Sequence, residues 1–404
     1  MAFQQGLSGL NSASRNLDVI GHNIANANTV GMKSSRAEFA ELYASSINAS
    51  GGVNSGIGVT VATVSQMFTQ GNISVTGNDM DVAINGNGFF ELAMPDGSMA
   101  YSRAGMFKLD RDGAIITNTG GQLMGYPTDA AGVRQGFDSV PLTLPTGGPI
   151  PAKQTTAIAA EFNLDASAPI AATVVPPTPL GTYATSVNAF DAQGLEIPVG
   201  LVFDKIGNNQ WNVYTSVNNA DPALSVPFAI TFLADGSLDP ATVIPQLQLA
   251  SPNDPALTFN VDLDFGEATQ FGADFSVSNL TQDGYRPGEL TSLGIEESGV
   301  IMARYSNGQS QAAGQISLVN FRNVQGLVPT GGGNWATTFE SGEPVRGAPG
   351  EGKLGALRSG ALEDSNIDLT AELVNMMTAQ RAYQANAQTI KTQDQVLSTL
   401  LNMR

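Results

Sequence analysis

Apolar residues recur every seven positions at the two ends of this 404-residue chain and nowhere between them. In the first segment Phe3, Leu10, Leu17 and Ile24 stand seven apart, with Leu7, Ala13, Ile20 and Ala27 beside them. In the last, Leu362, Leu369, Met376, Tyr383, Ile390 and Leu397 keep that spacing, joined by Leu373, Ala387 and Leu401 and interrupted by Gln380 and Asp394. A seven-residue repeat draws a narrow stripe along an α-helix, wide enough to seat another helix and too narrow to close a globular core. The pattern predicts helices over 3–27 and 366–403, about 37 Å and about 57 Å long at 1.5 Å per residue. They are built to meet helices, either each other or those of neighbouring copies. A lone helix with one seam is marginal in water because nucleation is costly, so the ends are expected to order on assembly. Asp364, Ser365 and Asn366 are N-cap candidates for the second helix, and Glu372 lies in an early turn where a carboxylate is favourable.

Between the helices the pattern changes to short alternating runs. Val59–Val64 and Asp81–Asn85 follow a Ser-, Asn- and Gly-rich loop, Ser45–Gly58, and Phe107–Ile116 reads as a hairpin turning at Asp112-Gly113. Prolines at 141, 145, 149 and 151, and again at 176, 177 and 179, break the chain and frame an inserted segment. That segment holds strand-like runs at Ala184–Phe190, Val199–Phe203, Gln210–Val217, Phe228–Leu233 and Ala256–Phe265. More strand-like sequence follows from Gly299 to Phe321, so the first β region is expected to be completed by chain returning after the insertion. The expectation is a multidomain, mainly β protein with α-helical termini. Residues 1–30 and 364–404 supply the helices, 31–71 a connecting segment, 72–145 and 285–363 a discontinuous β domain, and 146–284 an inserted β domain.

Charge sharpens this division. The net charge is −18, and residues 146–284 carry 2 basic against 14 acidic side chains, two thirds of the excess. Such a segment is a hydrated, self-repelling surface and argues against nucleic acid as its partner. Cysteine is absent, which removes disulfides, thiolate catalysis and sulfur ligands together. The first sixteen residues hold no base before Arg15 and no apolar core, so no cleavable secretory signal is expected. No apolar run approaches the ~18 residues of a membrane-spanning helix.

Candidate chemistry is sparse. Gly347–Leu354 matches a phosphate-loop pattern through Lys353, but Leu354 replaces the magnesium-binding hydroxyl and Gly355 follows where a helix should begin. Asp110-Arg-Asp-Gly113 echoes the start of a calcium loop that Ile115, Ile116 and Asn118 do not continue. Adjacent Glu296 and Glu297 would point to opposite faces of a strand. The sole histidine, His22, falls in a terminal helix, away from any nucleophile–base set, and no cofactor or metal site is expected. Asn23, Asn26 and Asn28 with Gly31 read as turn chemistry closing the first helix. A hydrolase with a hidden carboxylate pair, or an adhesin using Trp211 and neighbouring tyrosines, stays open on composition, yet neither explains matched seams at both termini.

The segment Gly6–Lys33 resembles the N-terminal signature of bacterial flagellar axial proteins, through Asn23, Asn26, Asn28, Thr29 and Gly31. Ser365–Asn386 is similar to their C-terminal signature, through Ser365, Asn366, Asp368, Gln380 and Arg381. Asp81–Phe90, Tyr101–Phe107, Tyr305–Gly308 and Leu318–Phe321 fit as well, in matching order, and the resemblance fades across 146–284. Met32 stands where an aromatic is common, and His22 where asparagine is. The resemblance implies a tubular homopolymer with an inner coiled-coil layer of terminal helices and β domains outside. Its assembly seam would be Phe3, Leu7, Leu10, Leu17, Ile24, Leu369, Leu373, Met376, Tyr383, Ile390 and Leu397. It also implies type III export and contact with the distal rod protein, the hook cap and the hook–filament junction proteins. The length and the large insertion favour a hook subunit, with a distal rod subunit as the alternative.

Overall fold

The computed structural model describes residues 2–43, 56–144, 148–170, 183–218, 220–222 and 225–402. Pro145, Pro176, Pro177, Pro179, most of the Ser45–Gly58 loop and the side chain of Leu401 fall outside the described residues. The chain divides into two compact units, one of residues 1–147, 292–304 and 310–404 and one of residues 148–291 and 305–309.

The first unit opens with helix α1 (Ala2–Ala25) and ends with helix α2 (Leu369–Asn402). The expected connecting segment is structured: β1 (Ser35–Tyr43) and β2 (Gly56–Gln66) form an antiparallel ribbon, the first of them not foreseen from sequence. Behind it, strands from both sides of the insertion share one sheet. Gln122–Tyr126 pairs with Ser310–Ile316, and Phe89–Ala93 pairs with Leu318–Asn320. Val82, Ile84, Phe90, Leu92 and Phe107 pack with Ile301, Ile316, Leu318 and Leu357 as one core. A second cluster sets Phe89, Tyr101, Phe321 and Trp335 edge to face, with ring centroids 4.8 to 5.9 Å apart. The Phe107–Thr117 hairpin turns as expected, with Gly113 at φ 80°.

Two further strand pairs close this unit at its entry and exit. β3 (Ile73–Val75) pairs with Ala361–Glu363, and β4 (Val82–Asn85) with Ala356–Ser359. Leu362 therefore lies buried in a strand and is no member of the helical seam. Its seven-residue phase with Leu369 is a coincidence, since spacing alone is blind to where the backbone changes from extended to helical. Glu296 and Glu297 sit in the turn between Leu290–Ile295 and Val300–Tyr305, not in a strand. Gly347–Leu354 leaves a strand and forms successive turns, with no helix to cradle a phosphate.

The second unit is a pair of sheets. One is antiparallel, ordered Tyr183–Phe190, Glu196–Gly207, Gln210–Val217, Phe228–Thr231. The other is centred on Ala157–Asp165, whose side chains alternate between buried and half-buried as a strand with one covered face should. Phe162, Phe203, Trp211 and Phe265 fill the space between. Trp211 is fully buried and donates from Nε1 to Gln270 Oε1 at 3.3 Å, so it offers no platform to a glycan.

Asp283 ties the two ends of this unit together. Its carboxylate accepts from Thr156 N at 2.7 Å, Thr156 Oγ1 at 2.7 Å, Ala157 N at 3.0 Å and Lys153 Nζ at 3.1 Å. Burial alone would raise its pKa, but these donors outweigh it and hold the group well below the usual carboxylate range. The stabilisation is therefore complete above the unfolded value of ~3.9 and is lost as pH falls from there toward the folded value. Asp283→Asn should flatten the acid limb of the stability curve of this unit while leaving unit one unchanged, as thermal melts followed by Trp211 fluorescence between about pH 2 and pH 7 would show.

Candidate assembly surface

α1 and α2 run antiparallel against each other: Gly6 lies beside Ile390, Gly9 beside Asn386, and Asn23 bonds Glu372. Their meeting face takes in Ile390 of the expected seam and is otherwise made by smaller or polar residues. On α1 it is formed by Gly6, Gly9 and Asn23, with Ile20 buried in the same row, and on α2 by Glu372, Asn386 and Ile390, with Ala379 buried between them. A Cβ at Gly6 would stand 3.1 Å from Ile390 Cγ1, and one at Gly9 2.9 Å from the Asn386 amide. Small residues three apart let the backbones close up. That spacing is the signal the sequence carries for the contact, and it is weak beside the apolar stripe because glycine adds nothing to a hydrophobic pattern.

Packing glycine and alanine inward turns the large seam residues outward. Phe3 and Leu7 on α1 are 47 % and 45 % exposed, and Leu369, Leu373 and Leu397 on α2 are 47 %, 47 % and 53 %. Tyr383 is exposed as well, while Leu10, Leu17, Ile24, Met376 and Ile390 are intermediate. The pair rests on the β1–β2 ribbon, where Val59 N donates to Ser8 Oγ at 3.3 Å.

The signature residues cluster where both helices meet the β framework. Asn23 does more than end a helix: its amide donates to Ser35 O at 2.8 Å and to Glu372 Oε1 at 3.1 Å, while its Oδ1 accepts from Ser35 N at 2.9 Å. Asn26 does terminate α1, its Nδ2 donating to His22 O at 2.9 Å, and Thr29 follows with a 3.4 Å bond to Asn26 Oδ1. Asn28 is exposed, as are Gln380, Arg381 and His22. The N-cap of α2 is Asp368, whose Oδ1 accepts from Thr370 N and Ala371 N at 2.9 and 3.1 Å. The three expected caps are occupied elsewhere. Asp364 accepts from Ser74, Ser365 from Ile367 N, and Asn366 stitches Ser34, Met67 and Thr69 together.

Beneath this junction lies an ion cluster that sequence reasoning missed. Lys33 Nζ donates to Glu363 Oε1 at 2.6 Å and to Thr69 O at 2.7 Å, and Arg103 Nη1 reaches Glu363 Oε2 at 3.0 Å. The side chains of Lys33 and Glu363 are wholly buried, and that of Arg103 is 5 % exposed. Burial pushes the Lys33 ammonium and the Arg103 guanidinium below their ordinary ranges, with the Glu363 charge opposing it. Gly31 sits over the cluster at φ 70°, and a Cβ there would stand 2.6 Å from Ala104 N and 2.7 Å from Arg103 C. Gly31→Ala should cost at least about 1–2 kcal/mol from the left-handed backbone, with more from displacing Arg103, read as a lowered melting point of unit one in calorimetry.

An exposed apolar face on a helix pair rooted in a β framework marks a subunit built for assembly, and comparison with known proteins gives the class. Residues 3–33 match the family described as "Flagella basal body rod protein", and residues 358–403 "Flagellar basal body rod FlgEFG protein C-terminal". Residues 83–163 match "Flagellar hook protein FlgE/F/G D1 domain", and residues 163–285 "Flagellar basal body protein FlaE D2 domain". Over its full length the chain is 42 % identical to flagellar hook protein FlgE of Escherichia coli (strain K12) and 41 % to that of Salmonella typhimurium (strain LT2), covering all of each. It is 32 % identical to that of Borreliella burgdorferi, covering 99 % of that chain. A crystal structure of Helicobacter pylori flagellar hook protein FlgE2 shares the fold, with a TM-score of 0.56 at 15 % identity over 72 % of this chain and all of that one. The chain belongs to the flagellar hook protein family. It is a structural subunit of the extracellular hook rather than of the rod.

Proposed function

We propose that this subunit polymerises through its terminal helices into a curved, flexible tube that passes torque from the rod to the filament as a universal joint. The observation that carries this reading is the helix pair itself: with the two helices packed together, Phe3, Leu7, Leu369, Leu373, Tyr383 and Leu397 of its seam stay exposed and Leu10, Leu17, Ile24 and Met376 stay partly so. Phe3, Leu7, Leu10, Leu17 and Ile24 of one copy would meet Leu369, Leu373, Met376, Tyr383, Ile390 and Leu397 of others as an inner coiled-coil layer. Each fully buried leucine or phenylalanine contributes about 1.5–3 kcal/mol, and the contribution repeats at every subunit. The acidic second unit would face outward, where self-repulsion keeps neighbouring domains able to slide as the tube turns about its bent axis.

The distal rod protein, the hook cap and the hook–filament junction proteins would be its neighbours, and the type III export apparatus its route. The role needs no catalysis, cofactor, nucleic acid or membrane insertion, and among the described residues no helix is long and apolar enough to cross a membrane. Hydrogen exchange on monomer and polymer tests the seam. Amides of Ala2–Ala25 and Leu369–Asn402 should exchange faster in the monomer than in the polymer, while strands of both units are protected alike in both. Equal protection of both helices in monomer and polymer would refute an assembly-coupled seam.

A further inference from the structure

The Lys33–Arg103–Glu363 cluster makes the first unit depend on chain from its two ends at once. Lys33 and Arg103 belong to the N-terminal part of the chain, and the anion they share lies 330 and 260 positions further along. Among the described residues, Glu363 is the ion-pair partner of both. Thr69 O and Gly86 O also accept from them, at 2.7 and 2.9 Å, but carbonyls carry no compensating charge, and Arg103 Nε is buried without an acceptor. Glu363 is held in return by Gly71 N at 2.8 Å on its carboxylate and by Gly31 N at 2.8 Å on its carbonyl. It arrives on the strand Ala361–Glu363 that pairs with β3, directly ahead of α2. Before that strand docks, closing the rest of the unit would bury two like charges side by side with nothing to neutralise them. Removing one partner of a buried ion pair lowers a folding constant by about a hundred- to a few thousand-fold.

We propose that Glu363 is a completion lock: the first unit closes around Lys33 and Arg103 only when the segment preceding α2 has joined it. Where the chain travels through an export channel, as the proposed function has it, this unit stays open until residues 33, 103 and 363 are on the same side. The lock would keep a half-delivered subunit from folding, and so from adding to the polymer without its C-terminal helix.

Refolding of the full-length chain from denaturant, followed by pulsed hydrogen exchange and mass spectrometry, tests it without any export machinery. In the natural sequence the amides of Phe89–Ala93 and Met99–Ser102, which pair without the C-terminal segment, should gain protection in the same kinetic phase as Ala361–Glu363. In the Lys33→Met/Arg103→Met/Glu363→Met variant, which has no charge to neutralise, they should gain it earlier. At equilibrium Glu363→Gln should raise exchange in the first unit about a hundred-fold or more and leave the second unit unchanged, and the triple variant should restore protection. Early protection of Phe89–Ala93 in the natural sequence, unaltered exchange in Glu363→Gln, or a triple variant as open as Glu363→Gln would each overturn the lock. The export reading is tested separately by whether a substitution in unit two that leaves the cluster intact is secreted, so the two can fail independently.

Discussion

Leu7→Asp and Leu397→Asp should each abolish tube formation while the single chain keeps both units folded. The expectation rests on where these side chains stand. Leu7 is 45 % exposed and Leu397 53 %, so a carboxylate at either place is hydrated in the monomer and costs it little. If the seam is the assembly contact, the same carboxylate would be taken out of water in the polymer, at several kcal/mol per unpaired ion, and the burial of a leucine, about 1.5–3 kcal/mol, would be lost as well. The two terms together are comparable to the whole stability of an ordinary domain, and they recur at each added copy. Analytical ultracentrifugation should show monomer at concentrations where the natural sequence polymerises, and circular dichroism should show unchanged β content. Ile390→Asp is a less informative change, because Ile390 also packs on Gly6 within the chain. Tubes of normal stability from either exposed-site variant would remove the seam from the assembly contacts.

Replacing residues 148–291 with a short Gly/Ser linker should leave the first unit folded and give tubes that are straighter and more easily broken. The two ends of the segment are already neighbours, since Ile150 N donates to Gly288 O at 2.8 Å and Lys153 N to Tyr285 O at 2.9 Å. A short linker therefore bridges the gap without strain, and loop closure costs little. What is lost is a compact body with its own core and 12 of the 18 net negative charges. If those surfaces are the contacts that choose between the long and short sides of a bend, electron microscopy of hooks carrying the deletion will show reduced curvature and frequent fractures. Unchanged curvature would place the bend nearer the helices, and loss of fold in unit one would show that the two units share stability.

Much of the local structure could be read directly from residue order. The runs at Gln210–Val217 and Ala184–Phe190 are strands within a residue of expectation, because an alternating pattern with one buried face specifies both the conformation and its register. The α2 cap shows where such reading stops. Asp364, Ser365, Asn366 and Asp368 are four capping residues within five positions, and local chemistry ranks them alike. Two are withdrawn by partners remote in sequence, Ser74 for Asp364 and Ser34, Met67 and Thr69 for Asn366, and Ser365 turns to its neighbour Ile367, which leaves Asp368 to start the helix. The identity of the connecting segment was hidden for a similar reason. Among residues 35–42 Phe39 and Leu42 are exposed and only Ala37 is buried, so the strand has no alternation of buried apolar positions to betray it.

The sequence by itself determined that both ends are helices with an apolar stripe, that the middle is β with an acidic insertion, and that the chain carries the marks of the flagellar axial family. Each is a periodic or compositional property, written in neighbours a few residues apart. Only the tertiary structure decided that the helices meet through Gly6, Gly9 and Ala379 and so turn the stripe outward. Only it brought Lys33, Arg103 and Glu363 together in one buried cluster. The reason is that a helix face has no preferred partner until another backbone is close enough to exclude bulk. Likewise a buried charge is defined by a counter-ion that chain topology, and not spacing, delivers.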